Sequence, residues 1–201
     1  MDIAPQAMEL TLNCRPAREG HTLVFEYSLF NPGTVDVYVH DAMPSVDRET
    51  RAASANPRAI SIIHSPSGDA IIGKFIPPMP SSLRPAVPLT PLAHRLAAGE
   101  AMERRLEASE PLAETSPYLP DLLLRQYEVV DIAAVVFTIA YWVSGCEGFA
   151  VMPSPYAKGL FSVVLTGGGP GAGTMLVSQR FATRGLQIFR RTDGFPRTLP
   201  A

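Results

Sequence analysis

A chain of 201 residues that is 46% apolar and only 18% charged has the balance of a folded domain, the opposite of a disordered chain. At this length a fold buries roughly 70% of its unfolded surface, so neither a disulfide nor a metal is needed to hold a core. The net charge of −2 comes without a dominant basic cluster, and this argues against a phosphate-backbone binder, which works by counterion release.

The nearest thing to a basic segment is the stretch bearing Arg180, Arg184, Arg190, Arg191 and Arg197, so nucleic acid is not favoured as a partner. The N-terminus, Met1 to Gln6, has neither a basic start nor an apolar run, and does not read as a signal peptide. The most apolar stretch, Ile132 to Val143, falls short of the ~20 residues of a membrane helix. These features predict a soluble, cytoplasmic protein with no membrane partner, in which Cys14 and Cys146 stay reduced. In an exported protein the same two cysteines could bridge two strands. A single domain is expected over residues 1–201, with a loose tail at 193–201.

Strand-type alternation begins at the first apolar residues, with Met8, Leu10, Leu12 and Cys14 on one face and Glu9, Thr11, Asn13 and Arg15 on the other. A turn is predicted at 16–20, followed by a second strand with Leu23, Phe25, Tyr27 and Leu29 on one face. Asn31-Pro32-Gly33-Thr34 reads as a turn, because proline presets φ and glycine supplies a positive φ. Val35, Val37 and Val39 start a third strand, and the aperiodic residues 41–58 read as a surface loop.

Ala59–His64 and Ala70–Ile76 predict a hairpin around Ser65–Asp69. Prolines 77, 78, 80, 85, 88 and 91 predict an extended segment along a surface or an edge. Met102 to Ala108 alternates with charge on both faces, as suits an edge strand. Residues 109–120 read as a second loop, and 121–127 as a short helix behind Pro120. Ile132–Val143, apolar on both faces and rich in Val, Ile and aromatic residues, predicts a central strand. Leu160–Thr166 and Thr174–Ala182 read as a hairpin across a glycine-rich loop, and Gln187–Arg190 as a last short strand.

The fold expected is therefore all-β: an antiparallel sandwich of about nine strands, with at most one short helix and Trp142 filling the space between the sheets. The run Leu23-Val24-Phe25-Glu26-Tyr27-Ser28-Leu29-Phe30-Asn31-Pro32-Gly33, followed by Val35-Asp36-Val37-Tyr38-Val39, resembles the paired strands of bacterial immunoglobulin-like modules. In those modules an alternating strand ends in Asn-x-Gly and its neighbour follows at once. The resemblance covers about residues 21–41. It implies an immunoglobulin-like architecture and no particular activity, since such modules serve as binding, spacer and assembly domains alike.

Two motifs suggest chemistry. Ser144-Gly145-Cys146-Glu147-Gly148 has the small-x-nucleophile-x-small pattern of a nucleophile elbow, but Pro153 and Pro155 oppose the helix that should follow, and no histidine follows His94. Gly167-Gly168-Gly169-Pro170-Gly171-Ala172-Gly173-Thr174 approaches the glycine spacing of a P-loop without its lysine or its helix. His21, His40, His64 and His94 lack metal-ligand spacing, and the acids near His40-Asp41 are not spaced like a calcium loop. No catalytic residue, metal ligand or cofactor is assigned. The expectation is a non-enzymatic interaction or accessory module, a subunit of a larger bacterial assembly with a protein partner or a second copy of itself. The alternatives are a hydrolase or transferase using Cys146, and a carrier of a small apolar ligand.

Overall fold

The computed structural model describes residues 10–47, 49, 50, 52–77, 90–115, 123–166 and 173–193. The early alternation folds into a three-stranded antiparallel sheet in which β2 (Thr22–Phe30) lies between β1 (Thr11–Glu19) and β8 (Ala101–Ser109). Cys14, Tyr27 and Arg104 form one row across it. The period of two sends Cys14, Phe25, Tyr27, Leu29, Met102 and Leu106 into the core and leaves Asn13, Arg15, Glu26, Glu103 and Arg105 exposed. β8 is an edge, as its charges predict. The turn expected at 16–20 is shorter than that: β1 runs through Pro16, and the chain reverses around Gly20, at φ +62°. β1 tolerates the proline because it too is an edge, where a missing N–H need not break the ladder.

The second sheet has the order β12 (Phe149–Pro153), β13 (Leu160–Leu165), β7 (Leu92–Leu96), β3 (Val37–Val46), β11 (Ala134–Val143), β6 (Ala70–Lys74), β5 (Ser61–His64). β14 (Met175–Ala182) pairs with β11, and β4 (Ala53–Asn56) with β3. One edge of β11 belongs to β14, from Ala134 to Tyr141. The other edge is shared: β6 runs parallel to it at Val135–Ile139, and β3 antiparallel at Tyr141–Val143. The sheet therefore forks at β11. Gly73 makes the parallel contact possible, because a Cβ there would stand 1.9 Å from the Thr138 carbonyl oxygen.

A third, small sheet has the order β10 (Tyr127–Asp131), β15 (Gln187–Arg191), β9 (Leu112–Ala113), with β15 and β9 parallel. Fully buried Glu114 anchors it. Its carboxylate accepts from the backbone N–H of His64 at 2.8 Å and of Arg191 at 2.7 Å, tying β5 to β15.

β11 is buried on both faces, as its composition predicts. On one face Phe137, Ile139 and Tyr141 meet the three-stranded sheet, where Phe25 stacks on Phe137 with centroids 4.9 Å apart. On the other face Ala140 and Trp142 join Ile63, Ile71, Phe75 and Val163 in a second cluster. Trp142 is thus fully buried, but on the face turned away from the three-stranded sheet.

Several expectations are corrected. Fifteen strands occur among the described residues where about nine are expected, because forks and short edge pairings divide the sheets. The 41–58 region is a strand pair: β3 continues past a bulge between His40 and Ala42, and β4 folds back on it. β13 and β14 form no hairpin, since β13 is held by β12 and β7 while β14 takes the open edge of β11. The expected helix at 121–127 is a 3-10 turn at Leu124–Gln126 leading into β10, with 121 and 122 outside the described residues. β9 adds a buried strand within the expected 109–120 loop, and two of the strand pairings are parallel. Residues 78–89 of the proline-rich segment and 194–201 of the tail also lie outside the described residues.

Candidate functional site

The Asn-x-Gly turn organises one end of the molecule. Asn31, buried to 1%, donates through Nδ2 to the carbonyls of Val35, Leu96 and Ala97 at 2.9, 3.1 and 3.1 Å. Its Oδ1 accepts from the Gly33 N–H at 3.0 Å, as an Asx turn requires; the positive φ expected of Gly33 does not occur, so the Asn31 side chain and not glycine's freedom makes the turn. Its backbone bonds Gly99 and Glu100, so the β2–β3 and β7–β8 connections are joined through one side chain.

Both motifs singled out in the sequence converge on this end. The Ser144 N–H donates to the Asp36 carbonyl at 2.9 Å, and the Thr166 N–H to the Gly148 carbonyl at 2.9 Å. Gly173 packs so closely on the Cys146 turn that a Cβ would lie 2.6 Å from the Glu147 carbonyl oxygen. The Trp142 indole N–H donates to Thr174 Oγ1 at 3.0 Å. Thr166 and Gly173, which flank the glycine-rich residues 167–172 outside the described residues, therefore both lie against the Cys146 turn. Cys146 is exposed on that turn, and its backbone N–H closes the turn onto the Val143 carbonyl at 3.1 Å. A strand, β12, follows it where a nucleophile elbow has a helix.

Neither cysteine is in a disulfide. Cys14 is buried on β1, where burial pushes its thiol up to about 12, well above the reactive range. Among the described residues no histidine is hydrogen-bonded to Cys146. His40 is buried beside Trp142, with ring centroids 6.2 Å apart, and its Nε2 lies 3.2 Å from Met43 Sδ. His94 stands on β7 opposite Val39 and Leu160.

β12 carries the second feature of this region. It is a terminal strand of the large sheet, paired with β13 on one side. Its sequence, Phe-Ala-Val-Met-Pro, contains no charge, and Met152 is 51% exposed. Among the other edges, β4 is also uncharged but consists only of Ala, Ser and Asn, and most of the rest are defended. β1 carries Arg15, Pro16, Arg18 and Glu19, β8 carries Glu103, Arg105 and Glu107, and β10 carries Glu128 and Asp131. At the far end of the large sheet β5 is covered by Glu114 and by a bridge between Ile62 and Thr115.

The chief polar feature of the interior is an ion pair that the sequence does not announce. Lys74 donates to the carbonyl and, at 3.2 Å, to the carboxylate of Asp41, and Arg104 lies 3.5 Å from the same carboxylate. Burial alone would raise the Asp41 carboxyl, but Lys74 and then Arg104 hold it below its ordinary value. Burial lowers Lys74, and Asp41 opposes that. Burial raises the Tyr27 hydroxyl, helped by Asp41. Reading 41–58 as a loop hid Asp41, and the one trace of its partner is a lysine set within the apolar run Ile71–Ile76. The arrangement ties β3 and β6 of one sheet to β8 of the other.

A polar groove of about 600 Å³, to which Arg104 also contributes, crosses the outer face of the three-stranded sheet. Of its lining charges Arg105 lies 3.6 Å from Glu26 and also bonds Glu19 and Glu107 beside the groove, while Arg104 reaches the Asp41 carboxylate. Known proteins do not narrow the choice among these features, for no family model, curated protein or solved structure matches the chain.

Proposed function

We propose that this chain is a non-enzymatic interaction module with an immunoglobulin-like sandwich architecture, an accessory subunit of a larger bacterial assembly that accepts an extended partner strand along β12. The observation that carries this reading is the outer edge of β12, uncharged, unpaired among the described residues and ending at half-exposed Met152, where the edges of β1, β8 and β10 bear charge and β5 is covered; β4, another uncharged edge, offers only the small residues Ala53 to Asn56. An unpaired edge offers backbone N–H and C=O groups in register for β-augmentation, and alternate side chains such as Met152 add apolar contact. Pro153 limits that pairing to the residues before it. The Asx turn and the packed Cys146 turn hold the adjoining loops in place, so that little ordering entropy is lost on docking. The same edge could equally pair with a second copy of the chain.

The test is Met152→Lys, which sets a charge on the edge without touching the core. The wild-type chain, purified from its native host, should emerge with a protein partner or as a dimer. The variant should emerge alone at unchanged melting temperature, while a control change on β8, Glu107→Lys, should leave the association intact. A wild-type protein that is monomeric and unaccompanied, or a variant that keeps its partner, would overturn the proposal.

A further inference from the structure

We infer that the cleft between β1 and β14 is a binding site for a small amphipathic carboxylate, a short acyl chain or single aromatic ring carrying one acidic group. The inference does not rest on the β12 reading, since it concerns different strands.

β1 and β14 are the neighbouring edges of the two facing sheets, tied where the Cys14 N–H donates to Gln179 Oε1 at 2.9 Å. Beyond that tie, toward Arg18 and Thr183, lies an open cleft of about 230 Å³. Its walls are Leu23 and Phe25 from β2, Val135 from β11, Phe181 from β14, and Leu186. An apolar cavity of roughly 150 Å³ suffices for benzene, so this volume takes one ring or a short chain and little more. Water gains few hydrogen bonds against such walls, so an apolar group displaces it favourably.

The rim supplies the sign of the head group. Arg18 and Arg184 both line the cleft. Arg18 is engaged by Glu110 at 2.5 Å, whereas Arg184 is exposed and has no ion pair among the described residues. The rim is therefore one positive charge in excess. Arginine presents a planar fork that fits a carboxylate bidentately. Apolar walls below one uncommitted guanidinium are complementary to a monocarboxylate, and they discriminate against a neutral alcohol of the same length.

Titration calorimetry with octanoate, octanol and 3-phenylpropionate tests this. The wild-type chain should bind both carboxylates at micromolar concentration and octanol about tenfold more weakly, roughly the 1.4 kcal/mol of one charge-assisted contact. Arg184→Gln should bring octanoate down to the octanol value. Leu23→Trp, which fills the cleft at a half-buried position, should abolish binding of all three while the melting temperature holds. If neither carboxylate binds, if the arginine change leaves the preference intact, or if Leu23→Trp leaves binding unchanged, the cleft is not the site. Should Leu23→Trp fail to fold, Phe181→Asp, at a half-buried position of the cleft wall, takes its place with the same two outcomes.

Discussion

The two facing sheets keep their charge in opposite places. On the three-stranded sheet Arg105 bonds Glu19 and Glu107 on an outer face where all three side chains are at least 44% exposed. On the forked sheet Lys74 and Asp41 meet at 3.2 Å with side chains 5% and 13% exposed, and His40 sits beside them fully enclosed. The same pairing chemistry therefore does different things. Outside, water already solvates each charge, and the pair adds little. Inside, neither charge can be left alone, so the pair fixes which strands meet even where it adds little net stability.

The largest effect should follow from removing one inner partner. Asp41→Ala strands Lys74 in the interior and is expected to cost about 3–5 kcal/mol in urea unfolding. In a Lys74→Met background the same change should cost much less. Equal costs in both backgrounds would show that the two residues are not coupled.

Acid should expose the next difference. Burial and then Lys74 bring His40 down to about 3 from an ordinary 6.5. Between those values the unfolded chain takes up a proton that the folded chain refuses, so stability is full above pH 6.5 and drains away as pH falls toward 3. Asp41, held below its ordinary value, contributes stability that is lost at the acid end of the same range. His40→Gln should flatten the slope between pH 6.5 and 4, whatever it does to stability at pH 8. A slope identical to wild type would mean that His40 is protonated in the fold.

The smallest effect belongs outside. Arg105→Ala should hardly move the urea midpoint, and any change should vanish in 1 M salt, where the screening length is ~3 Å. A clear loss that survives salt would erase the contrast between the sheets.

What was legible in the sequence follows the same division. The three-stranded sheet has one wetter face, so Leu23, Phe25, Tyr27 and Leu29 alternate with Thr22, Glu26 and Ser28, Val24 being the one exception within that span, and betray both strand and orientation. The central position of β11 was legible because a strand covered on both faces is apolar on both, here at every position but Thr138. The forked sheet hid the rest. β3 beyond His40 carries Asp41 and Pro44 and looks like a loop, because its bulge breaks the period and its polar residue is satisfied by a lysine 33 positions away. The Cys146 turn could be recognised from its small residues, but nothing local says that Gly173 packs against it or that β13 and β14 part, and the cleft beside Arg184 has no motif at all.

The sequence alone determined that the chain is all-β, where its strongest strands lie, and that Asn31-Pro32-Gly33 turns between two of them. These depend on side-chain period, φ preference and local hydrogen bonding, which act within a few residues. Tertiary structure alone decided that β11 is shared between β6 and β3, that β13 and β14 part company, and that Lys74 meets Asp41. It also decided that Trp142 faces away from the three-stranded sheet. Those outcomes depend on which distant surfaces bury each other and which buried charges find partners, and no local pattern encodes that choice.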